Sequence, residues 1–185
     1  MRIVSGKFRG TKLFGPGKAS FRPTEDQTRE ALFNILQNYN GSFLDLYAGS
    51  GAVGLEAYSR GFQPVTFVEK EGSSLAVLHK NLGRILERQD TDKSQLRLVK
   101  KPVASYLKNC DESYDIVFCD PPYALIDTTF VLELLAKAPL KKGGTLIVEH
   151  ESKWRPPALA GDFKLTKSKK YGRCSLAFYA KEDDE

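Results

Sequence analysis

With 185 residues, 41% hydrophobic and 28% charged, the chain is long enough to bury one substantial core, and its ordinary globular composition excludes an intrinsically disordered protein. No apolar run approaches the roughly 20 residues that cross a bilayer, and none follows Met1-Arg2-Ile3-Val4, so neither a membrane span nor a secretory signal is expected and the cytoplasm is the expected compartment. The net charge of +5 is modest but unevenly spread: six cations from Arg2 to Arg22 precede the first acid, Glu25, and Lys164, Lys167, Lys169, Lys170 and Arg173 form a second acid-free run.

In chain order, residues 2–5 and 11–14 read as short extended segments around Gly6 and Gly10, a small basic hairpin, with Gly15-Pro16-Gly17 as a hinge after it. Pro23-Thr24 with Gln27 three residues on predicts a capped helix start, Thr24 capping, and Leu32, Phe33 and Leu36 give that helix an apolar face to about Tyr39. Strands over 43–46, 65–68, 96–99, 116–119 and 145–149 then alternate with helices from Val53, over 73–87, around 104–107 and over 130–137. Such alternation predicts an α/β fold, a mostly parallel sheet with helices on both faces. After Pro156-Pro157 the chain changes character, and residues 163–168 and 175–179 read as an antiparallel pair closing one sheet edge. The expected organisation is a basic N-terminal extension over 1–22, one domain over 23–180 and a frayed acidic tail over 181–185.

Two segments carry chemistry. Asp45-Leu46-Tyr47-Ala48-Gly49-Ser50-Gly51 ends the first core strand and runs into a helix, so its glycines allow a tight turn and close approach of a bulky ligand, and Asp45 is placed to face the amino end of a zwitterion. Gly54 lies beyond the tight loop, so the turn is not read as a dinucleotide fingerprint and a pyrophosphate is not the first choice of ligand. Glu69 ends the second strand 18 residues after Gly51, close to the offset at which an acid meets a ribose diol. An adenosyl ligand fits both features, with Tyr47, Ala48 and Lys70 as neighbouring candidate contacts.

The second segment is Asp120-Pro121-Pro122-Tyr123, delivered by the apolar strand before it. An aromatic amine attacks a methyl sulfonium poorly until both its N–H bonds are held, because its lone pair is delocalised into the ring. Asp120 offers a carboxylate and Pro121 a carbonyl oxygen for those two bonds, while Tyr123 can stack on a base drawn out of its helix or loop. No strong general base is needed, since positioning and charge stabilisation dominate. Cys110, Cys119 and Cys174 are an odd set without close pairing, read as reduced thiols, and neither His79 nor His150 stands at zinc-site spacing from them, so no metal is expected.

These residues resemble the bacterial 16S ribosomal RNA guanine-N2 methyltransferases of the RsmD type. The likeness covers Arg2-Ile3-Val4-Ser5-Gly6 with Arg9-Gly10, Arg22-Pro23-Thr24 with Arg29-Glu30 and Leu32-Phe33-Asn34, Asp45 to Gly51 with Gly54-Leu55-Glu56-Ala57 and Ser59-Arg60-Gly61, then Glu69, Asp120 to Tyr123, and Glu149-His150. The resemblance implies a Rossmann-like class I methyltransferase with a seven-stranded sheet and an N-terminal RNA-contacting extension. It also implies S-adenosyl-L-methionine as cofactor and one guanine of 16S rRNA, within the small subunit or its assembly intermediate, as substrate of an expected monomer. Carried residue by residue, Asp45, Gly49, Gly51 and Glu69 become cofactor contacts and Asp120, Pro121 and Tyr123 the amine site. Arg9, Arg22 and Arg29, with Lys169 and Lys170 of the second basic run, become RNA contacts. Relatives often carry Asp-Ala after the third strand where this chain has Val103-Ala104, which leaves the backbone N–H of Ala104 for the adenine. His150 and Tyr171 have no assigned role. Another DNA, RNA or protein amino or amide methyltransferase using the same loop, and a ribosome-assembly module without turnover, remain as alternatives, although the chain has little room for a DNA-reading insert.

Overall fold

Short strands rich in β-branched and aromatic residues need cover on both faces, and the helices that follow them supply it. A computed structural model describes residues 1–15, 23–89 and 91–181, and for residues 23–25 the backbone alone. Its elements are α1 (Pro23–Ile35), β1 (Phe43–Leu46), α2 (Ala52–Ser59), β2 (Val65–Glu69), α3 (Gly72–Leu86), β3 (Leu96–Lys100), α4 (Val103–Lys108), β4 (Tyr114–Cys119), α5 (Thr128–Lys137), β5 (Leu140–Glu151), β6 (Leu159–Ala160), β7 (Phe163–Tyr171) and β8 (Cys174–Lys181). The sheet runs β3-β2-β1-β4-β5-β8-β7-β6. It is parallel from β3 through β5 and antiparallel beyond. This is the expected class I arrangement of seven strands with a two-residue eighth, β6, added at the antiparallel edge.

Helices cover the sheet in two layers. Leu32 and Phe33 of α1, Leu55 of α2 and Leu78 and Ile85 of α3 pack with Phe43, Phe67 and Phe118 on one face. Val103 and Tyr106 of α4 and Val131, Leu134 and Leu135 of α5 pack with Leu44, Val117 and Val148 on the other. Each such side chain contributes on the order of 1.5–3 kcal/mol by leaving water. Helix α1 ends at Ile35, short of the expected Tyr39: the amide of Tyr39 bonds the carbonyl of Leu36 in a tighter turn. Thr24, read as its cap, lies outside the described side chains.

Residues 1–13 form a loop closed by one antiparallel bridge, Arg2 to Lys12, instead of two full strands. Its apolar side chains Ile3, Phe8 and Leu13 join the first core layer, and its backbone docks on the end of α2. There the Val4 and Ser5 amides donate to the buried Glu56 carboxylate at 2.7 and 3.0 Å. The Lys7 amide donates to the Ser59 carbonyl at 2.7 Å, and the Phe8 amide to Ser59 Oγ at 2.9 Å. Gly6 sits at φ 80° so close to this helix end that a Cβ there would lie 1.9 Å from the Ser59 oxygen.

Candidate active site

Strand order reverses between β1 and β4, the place where an open α/β sheet opens a crevice at its carboxyl edge. A cleft of about 1340 Å³ lies there, and its walls bring together Asp45, Tyr47, Ala48, Gly49, Glu69, Lys70, Ala104, Asp120, Pro121 and Tyr123. Residues from the two motifs, far apart in the chain, thus face one space.

The glycine turn is held from both sides. Gly49 and Gly51 take positive φ of 56° and 76°, and a Cβ on Gly51 would meet Leu78 Cδ1 at 2.2 Å. Tyr47 also has φ 59°, an unusual conformation for a side chain of its size. Gly54, set aside in the sequence reading, has the third-glycine task of close helix-to-strand packing: a Cβ there would lie 2.3 Å from Phe67 Cε1 and 3.0 Å from Asp45 Oδ2. Its N–H donates to Asp45 Oδ2 at 2.9 Å. The Glu69 carboxylate accepts from the amides of Gly49, Lys70 and Glu71 at 2.8, 2.7 and 2.8 Å, so it is rigidly aimed and still has lone-pair capacity for hydroxyl donors. From α3, buried Asn81 accepts from the Phe14 amide at 2.7 Å and donates to the carbonyls of Phe14 at 3.0 Å and Ser50 at 2.9 Å.

The electrostatics of the cleft favour a cationic ligand. Burial pushes Asp45 up to about 7, with the charges of Asp120 and Glu69 adding to the shift and the Gly54 N–H opposing it. Cys119, buried behind the loop, is raised well above the usual thiol value by burial and then by the same Asp120 and Asp45 charges. A ligand bearing an ammonium and a sulfonium would relieve this carboxylate repulsion, and a pyrophosphate would worsen it. The donor set therefore fits S-adenosylmethionine. Asp120 and Tyr123 are exposed to the cleft, Pro121 is buried, and the Asp120 amide bonds the Leu46 carbonyl at 3.4 Å, which ties the two motif loops together. Ala104, exposed in the first turn of α4, has a backbone N–H outside that helix's own ladder.

The candidate RNA contacts divide. Arg9 is exposed, and Arg22 lies outside the described residues. Arg29, expected as an RNA contact, is buried instead. It is 4% exposed, with Nη2 donating to the Arg2 carbonyl at 2.8 Å and to Asp26 at 2.9 Å and Nε 3.8 Å from Glu56, so it braces the N-terminal loop from within. Lys169 and Lys170 are exposed neighbours on β7, but alternation sends them to opposite faces: Lys169 stands opposite core residue Leu176 and Lys170 opposite Ser175. They do not form one patch. His150 turns to the α5 side, its Nδ1 at 2.9 Å from the Glu151 carbonyl and its ring against Trp154, while Nε2 finds no partner among the described residues. Tyr171 packs on the first core layer. Among the described residues no three His, Cys, Asp or Glu side chains are grouped as a metal site needs, and no helix is long and apolar enough to cross a membrane.

Comparison with known proteins agrees with this geometry. A family model described as conserved hypothetical protein 95 matches residues 1–180. The chain is 33% identical to ribosomal RNA small subunit methyltransferase D of Escherichia coli, over 98% of this chain and 90% of that protein. It is 30% identical to YlbH of Bacillus subtilis, described as a candidate rRNA methyltransferase, over 98% and 99% of the two chains. The solved structure of yhhF from Escherichia coli, described as a candidate methyltransferase, superposes with a TM-score of 0.83 at 31% identity, covering 100% of this chain and 99% of that one. On the matched length, the superposition and the two motif loops in one cleft, the chain belongs to the conserved hypothetical protein 95 family, the RsmD family of class I methyltransferase fold.

Proposed function

We propose that the protein transfers the methyl group of S-adenosylmethionine to the exocyclic N2 amine of a guanine in 16S ribosomal RNA, acting as a monomer on the small subunit or its precursor in the cytoplasm. The observation that carries the reading is the opening of the Asp120-Pro121 loop into the cleft that holds Asp45 and Glu69. The named activity of the relative covering nearly the whole chain supports RNA as substrate.

When bound, the cofactor supplies a methyl group on a positively charged sulfur. The chain supplies the rest. Asp45 faces the ammonium of the cofactor's amino-acid arm, the Glu69 carboxylate takes the ribose hydroxyls, and the turn from Tyr47 to Gly51 follows the ligand closely. Lys70 and the Ala104 N–H border its adenine. Asp120 and the Pro121 carbonyl each accept one N–H of the amine, which frees the nitrogen lone pair and points it along the transfer axis. As the nitrogen gains carbon it must lose one proton, and Asp120, open to the water of the cleft, can receive it and pass it on. Tyr123 stacks on the extracted base. Arg9, on the exposed side of the N-terminal loop, and Lys169 of β7, on the sheet face that carries Leu176, approach the phosphates.

Methylation assays on isolated small subunits, naked ribosomal RNA and duplex DNA test the reading, with Asp120→Ala beside the wild type. The variant should lose on the order of 10²–10³-fold in rate, the scale of a removed transition-state acceptor. Its affinity for S-adenosylmethionine should stay close to wild type. Turnover on duplex DNA alone would contradict the substrate, and equal loss of binding and turnover would contradict the role of Asp120.

A further inference from the structure

Four neighbouring strands each present a carboxylate at the same edge of the sheet: Glu69 on β2, Asp45 on β1, Asp120 directly after β4, and Glu149 on β5. All four line the one cleft. Side chains alternate along a strand, and the residue two places before each acid, Phe67, Phe43, Phe118 and Ile147, belongs to the core layer under α1, α2 and α3. The row therefore lies on one face, with Asp45 set deeper, level with Phe67 and Phe118. Cys119 is paired with Val148, so Asp120 and Glu149 occupy adjacent positions on strands about 5 Å apart.

The row also has an order. Glu69 and Asp45 sit on the cofactor side of Asp120, and Glu149 sits on the far side, towards β8. The charges agree, because Asp120 acts on Asp45 in one direction and on Cys174, at the start of β8, in the other. Burial and then the Glu149 charge raise Cys174, whose thiol donates to the Tyr171 carbonyl at 3.4 Å and whose sulfur lies 3.3 Å from Thr28 Oγ1 of α1. Helix α1 and strand β8 thus fix the neighbour that Glu149 acts on, and a carboxylate has lone pairs enough to keep partners within the fold and still accept from the cleft.

Guanine's amine lies between N1 on the Watson–Crick edge and N3 on the sugar edge, so a base whose amine is held by Asp120 can turn its Watson–Crick edge along this row. On that edge guanine N1 carries hydrogen. In adenine and cytosine the corresponding nitrogen carries a lone pair. An ionised carboxylate only accepts, so it matches the first arrangement and repels the second. We propose that Glu149 is the guanine-selecting residue of this site, accepting the N1–H next to the amine that Asp120 and Pro121 hold. This assignment rests on the amine-methylation reading above and adds to it the group that tells one amino base from another.

The test uses 2-aminopurine, which keeps the amine at C2 but has an unprotonated N1. Small-subunit RNA carrying guanine or 2-aminopurine at the methylated nucleotide is assayed with wild type and Glu149→Gln, comparing kcat/KM. The wild type should prefer guanine by about 100-fold or more, as sites built around a hydrogen bond do. In Glu149→Gln, whose amide can donate to a bare N1, the preference should shrink below about tenfold while affinity for S-adenosylmethionine holds. A purely structural Glu149 would lower the melting temperature and leave the preference intact, which overturns the assignment, as does a wild type indifferent to the two bases. Should the glutamine variant fail to fold, Glu149→Ala is read on the same pair, and an unchanged preference there is equally fatal. A wild type that binds S-adenosylmethionine yet methylates no small-subunit RNA removes the underlying reading itself, whereas turnover with an unmoved preference removes only Glu149.

Discussion

Asp45 concentrates the electrostatics of the cleft in one side chain. Its carboxyl is held near 7 by burial, helped by Asp120 and Glu69. Between the ordinary carboxylate value of about 4 and pH 7, the folded chain keeps a proton that the unfolded chain has lost. Asp45 therefore favours the fold most at acid pH, and that contribution declines as pH rises towards 7. A cationic ligand needs the ionised form, so binding must expel the proton at lower pH. Affinity for S-adenosylmethionine should fall below pH 7 by up to about tenfold per pH unit, with proton release visible by calorimetry in buffers of different ionisation heat. Equal affinity at pH 6 and pH 8 would place the ligand's ammonium elsewhere. At this scale Asp45, Glu69 and Asp120 were legible because each stands at a strand's carboxyl end or within one residue of it. Gly54 was not, since its task is set by the Phe67 ring and nothing beside it in sequence announces that ring.

Among the elements, the joint between the N-terminal loop and α2 brings together two of the sequence blocks that carry the family resemblance. Arg2 to Gly6 and Glu56 to Arg60 are the two halves of one contact, closed by Glu56, which also takes Arg60 Nε at 2.8 Å. Gly6→Ala should force the loop off the helix, because the added carbon has no room against the Ser59 carbonyl. The melting temperature should fall by roughly 5–10 °C for a loss of about 2–3 kcal/mol. Hydrogen exchange at the Val4, Ser5, Lys7 and Phe8 amides should quicken by about tenfold or more, and unchanged exchange there would mean that the loop docks by its apolar side chains alone. The central strands could be read from sequence, being apolar runs between turn residues. The start of β5 at Leu140 could not. Lys141, Lys142, Gly143 and Gly144 have poor strand character and form the irregularity between the Tyr114–Leu140 and Ile116–Thr145 pairs, with Gly143 at φ 74°. The two-residue β6 is likewise made by its partner β7.

For the whole molecule, charge counted along the chain misstates charge in space. The C-terminal basic run straddles the sheet, and Arg29 of the N-terminal region is buried, so Arg9 is the clearest solvent-facing cation of the predicted RNA set on the N-terminal loop. Arg9→Ala should weaken RNA binding and lower the magnitude of its salt slope by about one, with the cofactor isotherm unchanged. A salt slope identical to wild type would remove Arg9 from the phosphate contacts. Sequence could name the loop and the cofactor turn but not their distance from each other, which is bridged by a single side chain from a third element. Asn81 grips both main-chain groups of Phe14 and the carbonyl of Ser50 with one amide. That shared grip ties the two regions through one amide: under the function proposed above, an RNA docking on the loop and a ligand ordering the turn would both act on Asn81, and any coupling between them would be reciprocal.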